Sequence, residues 1–273
     1  MYFITFSRKM GAKGTEIAKL VAKELQYKFY DTEAIECTAR EMGFLDDIRE
    51  VDGKAPSFLK RLFSHRPEIF LERLYAVIYE MASRGSAVFL GRGGNMLFRP
   101  IPCALHVRVI ASRETRMRNL AEKGIENEHA LIAMEKSDRE RESFIRFAFG
   151  RLWDNPELYD LVLNTDNLIV NVAVDSVISV ARTEEIRNRS ADVKDSLRMM
   201  GLAAKVEAAL SDRGLPPSYI STSVTSPGKV RLTGFVQVPW EKTTAEKTVR
   251  EVEGVESVED RIQIVGSWGT TDM

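Results

Sequence analysis

Ser7-Arg8-Lys9-Met10-Gly11-Ala12-Lys13-Gly14-Thr15-Glu16-Ile17 separates two runs of different period. Before it, Tyr2 to Ser7 is short, apolar, β-branched and aromatic, the signature of a buried strand. After it, Ile17, Leu20, Val21, Ala22 and Leu25 recur at three- and four-residue spacing, the signature of an amphipathic helix. Strand, glycine-containing loop and helix form the layout of a phosphate-binding turn, because the amides and dipole of a helix N-terminus favour an anion. The loop departs from G-x-x-x-x-G-K-[ST], in which amides wrap phosphates, the lysine meets the terminal ones and the hydroxyl ligates magnesium. Arg8 stands for the first glycine, and Gly-Lys is inverted to Lys13-Gly14, while Thr15 keeps the hydroxyl. A loop with two glycines after a strand also serves as a plain structural turn. The crowding of Arg8, Lys9 and Lys13 is what favours a bound polyanion.

Working outward, apolar runs at Ala87–Leu90, Leu105–Ile110 and Leu168–Val172 read as further strands. Helical patterns lie between them at Ile69–Ser83, Arg113–Lys123 and Glu128–Phe147. This alternation predicts an α/β fold with a parallel sheet built through right-handed crossovers. Ser112 and Asn127 suit helix N-caps, and Gly124 a C-cap. Beyond Ala181 the composition turns polar, and residues 182–196 read as a linker. A helix over about Leu197–Ser211, strands at Tyr219–Thr225 and Lys229–Val238, a helix Glu241–Glu253 and a strand Val258–Val265 follow, giving a small αββαβ unit. Ser226-Pro227-Gly228 is its hairpin turn signal.

The 273 residues carry 39 Lys+Arg against 40 Asp+Glu, which excludes a broad nucleic-acid-binding surface but leaves room for a local basic cleft. Cys37 and Cys103 make no disulfide framework and share no metal spacing with His65, His106 or His129. They read as partly buried thiols of a reducing compartment. The amino-terminal stretch lacks the basic start and long apolar core of a signal peptide, and no run is long enough to span a bilayer, so the expected location is cytoplasmic.

The loop, followed by Asp31-Thr32, Gly91-Arg92-Gly93, Asp138-Arg139, Trp153, Asn155-Pro156 and Tyr159 to Thr165, resembles the cytidylate kinase-like family. That family's loop reads Ser-Arg-x-x-Gly-x-x-Gly-x-Glu-Ile. The resemblance covers about residues 2–181 and implies a P-loop nucleoside monophosphate kinase fold, a three-layer arrangement around a parallel sheet with an acceptor-binding insertion and a lid. It implies ATP and magnesium as cofactors and CMP or another nucleoside monophosphate as acceptor. Arg8, Gly11, Ala12, Lys13, Gly14 and Thr15 would bind the donor phosphates, with Thr15 on the metal. Lys13, Arg139 and Arg151 would be catalytic, the two arginines as lid clamps. Arg92 would hold the acceptor phosphate, joined by Asp31, Arg40, Arg141 and Arg146.

Two departures from that family stand out. Gly93 replaces an aspartate, and Cys37 falls where an arginine is expected, with Arg40 one turn further along the same helix face. Asp31 also reads as a helix N-cap, Arg40 as a helix-surface charge, and Arg139 to Arg151 as a solvated helix with i,i+4 pairs. Residues Asp46–Pro67 mix basic and aromatic side chains and read either as the acceptor insertion or as a partner-binding turn.

Leu232-Thr233-Gly234-Phe235-Val236 and Val252-Glu253-Gly254-Val255-Glu256-Ser257-Val258 resemble the BON domain, a small binding module. Gly234 fits a bulge or close backbone approach, and Gly254 a helix C-cap. The expected organisation is residues 1–181 as a kinase-like domain, 182–196 as linker, 197–266 as a BON-like domain and 267–273 as a tail. A protein partner is expected for the BON-like domain, and neither nucleic acid nor membrane attachment. A catalytically weak nucleotide or anion sensor is the second reading of the whole chain.

Overall fold

The computed structural model describes residues 2–44, 67–125, 127–183, 193–215 and 217–265. Of the expected features, the insertion over residues 46–66 and most of the linker lie outside them. The chain divides into two compact units. Among the described residues, one takes 2–38 and 84–193, and the other takes 39–44, 67–83 and 194–265.

The first unit is built on a five-stranded sheet of β1 (Phe3–Arg8), β2 (Lys28–Tyr30), β3 (Ala87–Leu90), β4 (Ala104–Ile110) and β5 (Leu161–Asn164). Their order is β2-β3-β1-β4-β5 and every pairing is parallel. Burial of Phe3, Ile4, Phe6, Val88, Phe89, Leu105, Val107 and Val109 explains why these strands read as nearly unbroken apolar runs. Helices α1 (Gly14–Leu25), α2 (Thr32–Glu41), α4 (Gly94–Leu97), α5 (Arg113–Ala121), α6 (Asn127–Phe149) and α7 (Val170–Ala181) belong to this half of the sequence, and α3 (Pro67–Ser83) precedes β3. After β1 the chain builds β2 and β3 on one side of that strand, and β4 and β5 on the other. The carboxyl end of β1 is therefore a topological switch point, where ligands bind in open α/β sheets.

Ser112 caps α5, its hydroxyl accepting from the Thr115 amide at 3.2 Å. The run Leu168–Val172, expected as a strand, is instead the entry to α7. Ala173, Val174, Val177, Ile178 and Ala181 of that helix are buried at helical spacing, while Ile169 and Val172 are exposed. The strand lies earlier, at β5, where four residues suffice for an edge. Cys103 is buried, but Cys37 is exposed on α2, so the expectation of two partly buried thiols fails for Cys37.

In the second unit, α8 (Val193–Asp212), β6 (Ile220–Ser226), β7 (Lys229–Val236), α9 (Pro239–Arg250) and β8 (Ser257–Ile264) form the expected αββαβ order. Strand β7 pairs antiparallel with β6 through the two-residue Pro227-Gly228 turn, and parallel with β8. Val206, Leu210, Ile220, Val230, Leu232, Val249 and Ile262 form its core. Gly234 is a close backbone approach, since an added Cβ would collide with the Tyr219 carbonyl oxygen. Gly254 is not the cap of α9: Glu251 occupies that position, its amide bonding to the Lys247 and Thr248 carbonyls. Gly254, with φ of 95°, serves the turn that follows.

Candidate functional site

The loop after β1 is held from outside by its own carbonyl oxygens. Arg116 Nε donates to the Met10 carbonyl at 2.6 Å, Asn119 Nδ2 to that of Gly11 at 2.8 Å, and Thr165 Oγ1 to that of Ala12 at 3.2 Å. Three successive carbonyls are thus committed to the elements around the loop, and the Ala12 amide is itself spent on the Lys9 carbonyl at 3.3 Å. Helix α1 then starts at Gly14 behind Lys13, a left-handed residue (φ 59°) that makes no side-chain capping bond. The first helical bond runs from the Ile17 amide to the Lys13 carbonyl at 3.0 Å, so the amides of the first turn keep their donor capacity for a ligand.

Two ion pairs bear on the loop. Lys13 Nζ meets Glu122 at 3.7 Å, just past α5, and Lys9 Nζ meets Asp154 at 3.5 Å. Asp138 on α6 is a hub: it accepts from the Met10 amide at 3.1 Å and from Arg116 Nη2 at 2.6 Å, and its other neighbour is Arg141 at 3.5 Å.

Arg8 runs across the site. An added Cβ on Gly14 would sit 2.5 Å from Arg8 Cβ, and one on Gly91 would sit 2.6 Å from Arg8 Nη1. Glycine at both positions therefore leaves a trough in which the side chain passes from the start of α1 to the carboxyl end of β3. Burial, with Arg141 and Arg92 close by, pushes the Arg8 pKa down to about 9, and Asp31 opposes this, so the group stays cationic at neutral pH. Burial likewise lowers the pKa of Arg141, opposed by Asp138 and Glu140 and reinforced by Arg116 and Arg92. Arg141 Nη1 is buried and makes no hydrogen bond. Like charges gathered this closely form a site prepared for an anion.

Arg92 joins this group from a strained turn, with φ values of 81°, 52° and 70° at Gly91, Arg92 and Gly93. A non-glycine residue in the left-handed region costs energy that a functional position can justify. Its Nη2 reaches Thr32 Oγ1 at 3.5 Å. At Gly93, with φ of 70°, an added Cβ would strike the Phe149 ring, so an aspartate there would have to displace that ring. Asp31 caps α2, its Oδ1 accepting from the Ala34 amide at 3.2 Å, and also faces the Arg8 charge.

The structure thus brings Arg8, Arg92, Arg141 and Asp31 together beside the loop of Gly11, Ala12, Lys13 and Gly14. Thr15 is exposed on the first turn of α1. Arg139, Arg146 and Arg151 are exposed as well, and Arg146 is paired with Glu142 at 2.9 Å, the i,i+4 pair expected of a solvated face. Arg40 is exposed and belongs to the second compact unit. Sequence reasoning missed Arg116, Asn119 and Glu122. Its available signal was in α5, where the three- and four-spaced face that should be apolar holds Thr115, Arg116 and Asn119, all buried.

Among the described residues, no three of His, Cys, Asp or Glu gather as a metal cage. The single Thr15 hydroxyl suits a magnesium ion that arrives on phosphates and keeps its waters. The amides and arginines fit a polyphosphate. No described helix is long and apolar enough to cross a membrane.

The resemblance read from the loop extends over the chain. The sequence pattern of the BON domain matches residues 201–266. No curated protein matches the chain. Among solved structures, an uncharacterized protein from Eubacterium ventriosum shares 18% identity over 67% of this chain and 100% of its own, with a TM-score of 0.54. A shikimate kinase from Bacteroides thetaiotaomicron (14% identity, 67% of this chain and 99% of its own, TM-score 0.41) is also similar. So is a gluconokinase from Sinorhizobium meliloti (15%, 70% and 98%, TM-score 0.41). The parallel sheet is that of a P-loop kinase fold, and the sequence pattern of the cytidylate kinase-like family matches residues 3–167, more than half of the protein. With its outward-held loop and the arginines of its Ser-Arg and Gly-Arg-Gly motifs at one sheet end, this chain belongs to the cytidylate kinase-like family.

Proposed function

We propose that the protein is an ATP- and magnesium-dependent phosphotransferase acting on CMP, another nucleoside monophosphate or a similar small acceptor, in the cytoplasm. One observation carries this reading: an uncapped helix N-terminus, its loop carbonyls turned away, faces a group of three arginines at the switch point of a parallel sheet. Phosphoryl transfer asks a protein for in-line positioning and for positive charge on the transferring oxygens, with little covalent help. ATP with magnesium supplies the activated phosphoryl group when bound.

The loop amides, Lys13 and Thr15 would bind the donor phosphates, with Thr15 reaching the metal. Arg92 and Arg141 would orient the acceptor phosphate, and Asp31 holds the start of α2 against Arg8. Arg139, Arg146 and Arg151, exposed on and after α6, would add charge as that helix closes over a nucleotide. Residues 1–181 would form the catalytic domain and 197–266 the interaction module, joined by 182–196 and meeting a protein partner.

Incubation with ATP, magnesium and each nucleoside monophosphate in turn, followed by separation of the nucleotides, tests this. Diphosphate formed from at least one acceptor is expected, and CMP is the first to try. Absence of turnover with every acceptor, alongside nucleotide binding that weakens in Lys13→Ala, supports the second reading, a nucleotide or anion sensor. The observation favouring that reading is the ion pair of Lys13 with Glu122, which holds the lysine at a carboxylate.

A further inference from the structure

We propose that Arg8, ahead of Lys13, is the cation that meets the transferring phosphoryl group, lying between the donor loop and the acceptor arginines Arg92 and Arg141. The inference deepens the phosphotransferase reading and rests on it for the transfer step.

The geometry follows from the altered loop, in which Arg8 stands where G-x-x-x-x-G-K-[ST] has its first glycine. Arg8 ends β1, and its Cβ and Cγ lie along Gly14, at the start of the helix whose amides face the donor phosphates. Its guanidinium ends against Gly91, next to Arg92. The side chain therefore spans the interval between a donor held by α1 and an acceptor held at the end of β3. Two glycines, one on each side, are needed to let it pass. Lys13 points elsewhere, to Glu122.

Arg8 makes neither a hydrogen bond nor an ion pair among the described residues, while its neighbours Arg92 and Arg141 repel it. A guanidinium set beside two like charges, with the single carboxylate of Asp31 to oppose them, costs stability in the absence of ligand, and a bound oxyanion offsets that cost. Charge that is already placed where it is needed is the largest single contribution an enzyme makes to such a step.

The test compares the full-length chain with Arg8→Met, which keeps length and packing but no charge, Arg8→Lys, which keeps charge without the fork, and Lys13→Ala. Binding of tripolyphosphate and of MgATP is measured by calorimetry, thermal stability with and without tripolyphosphate, and turnover with the acceptor found above. Arg8→Met is expected to bind tripolyphosphate about 30-fold more weakly and to turn over about 100-fold more slowly, at least about tenfold beyond the loss in Lys13→Ala. Without ligand it should melt at or above the wild-type temperature, and tripolyphosphate should raise that temperature less. Arg8→Lys should fall between, and it decides the matter if Arg8→Met does not fold.

Equal or tighter tripolyphosphate binding by Arg8→Met overturns the inference, because Arg8 would then be a plug in the site. If the wild type forms no diphosphate but Arg8→Met still loses tripolyphosphate, the phosphotransferase reading fails and Arg8 stands as the anion ligand. If the wild type turns over and Arg8→Met does so equally well, the reading stands and the inference fails. A wild type that binds neither probe sinks both.

Discussion

Arg8, which ends β1, and Arg108, two residues before the end of the neighbouring β4, lie on opposite faces of one sheet, and their surroundings differ completely. In the β1–β4 register Ser7 lies beside Arg108 and Arg8 beside Val109, so the two arginines project to opposite sides. Arg108 is buried and fully engaged: it donates to the Trp153 carbonyl at 2.5 Å and to Tyr159 Oη at 2.9 Å, and it is paired with Asp154. Its guanidinium also lies 4.3 Å from the Trp153 ring centroid and 5.1 Å from that of Tyr159. Trp153 Nε1 in turn donates to Ser7 Oγ at 2.8 Å. Arg8, by contrast, is given two other arginines, two glycines and one opposing carboxylate, that of Asp31. The pair teaches how to separate a structural cation from a ligand-binding one: the first has its donors spent within the protein, the second is set among like charges with its donors unspent.

The comparison can be broken most forcefully at Arg108. Arg108→Met removes two charge-assisted hydrogen bonds, the ion pair with Asp154 and the ring contacts, at a cost of about 3 kcal/mol. Thermal unfolding should fall by roughly 9 °C. Tripolyphosphate affinity of the protein that remains folded should stay within about threefold, since Arg108 projects to the face away from Arg8 and touches the loop only through Asp154, which it shares with Lys9. An equal loss of affinity would mean that the two faces are not independent. On the other face, Gly14→Ala pushes a methyl into Arg8 Cβ and close to Val109 Cβ, an overpacking worth about 2 kcal/mol. Here the ligand response should suffer too, by about tenfold in tripolyphosphate affinity, because Arg8 is displaced from its trough. Calorimetry on the folded fraction reads that loss directly, and a destabilised variant with unchanged affinity would show that Arg8 does not need this path.

Much of the fold around this contrast was legible in the sequence, whereas Arg108 was hidden in the apolar run Leu105–Ile110, and what was missed has a physical cause. The strand-loop-helix opening and the buried runs of β3 and β4 follow from period alone. Residues Trp153, Tyr159 and Thr165 stood out as matched motif positions, although their roles beneath β1 and against the Ala12 carbonyl needed coordinates. The helix α6 shows the limit. Arg139 and Arg146 share one face by spacing, and sequence could not tell which face turns inward. Asp138 and Arg141 take it, because Asp138 is drawn to the Met10 amide and Arg116. The strand at β5 was displaced in reading to Leu168–Val172, since a short edge strand and the apolar entry of a helix look alike over five residues. Arg116 and Asn119 escaped because a buried polar face breaks the very pattern by which buried helices are recognised.

The smallest expected effect is the most discriminating for the loop itself. Glu122 and Lys13 form a pair whose side chains are 58% and 31% exposed, so Glu122→Gln should cost no more than about 0.5 kcal/mol and move thermal unfolding by about 1 °C. The substitution releases Lys13 without touching Arg8, Gly14 or the arginines of the second strand end. If Lys13 were the cation on which the phosphates chiefly depend, its release from a competing carboxylate would tighten MgATP binding several-fold. With Arg8 in that place, the affinity should change by less than about twofold, the residue of a screened surface charge, and calorimetry at two salt concentrations separates the cases. A several-fold tightening that fades with salt would move the loop's chemistry back to Lys13 and make Arg8 and Arg108 more alike than their surroundings indicate.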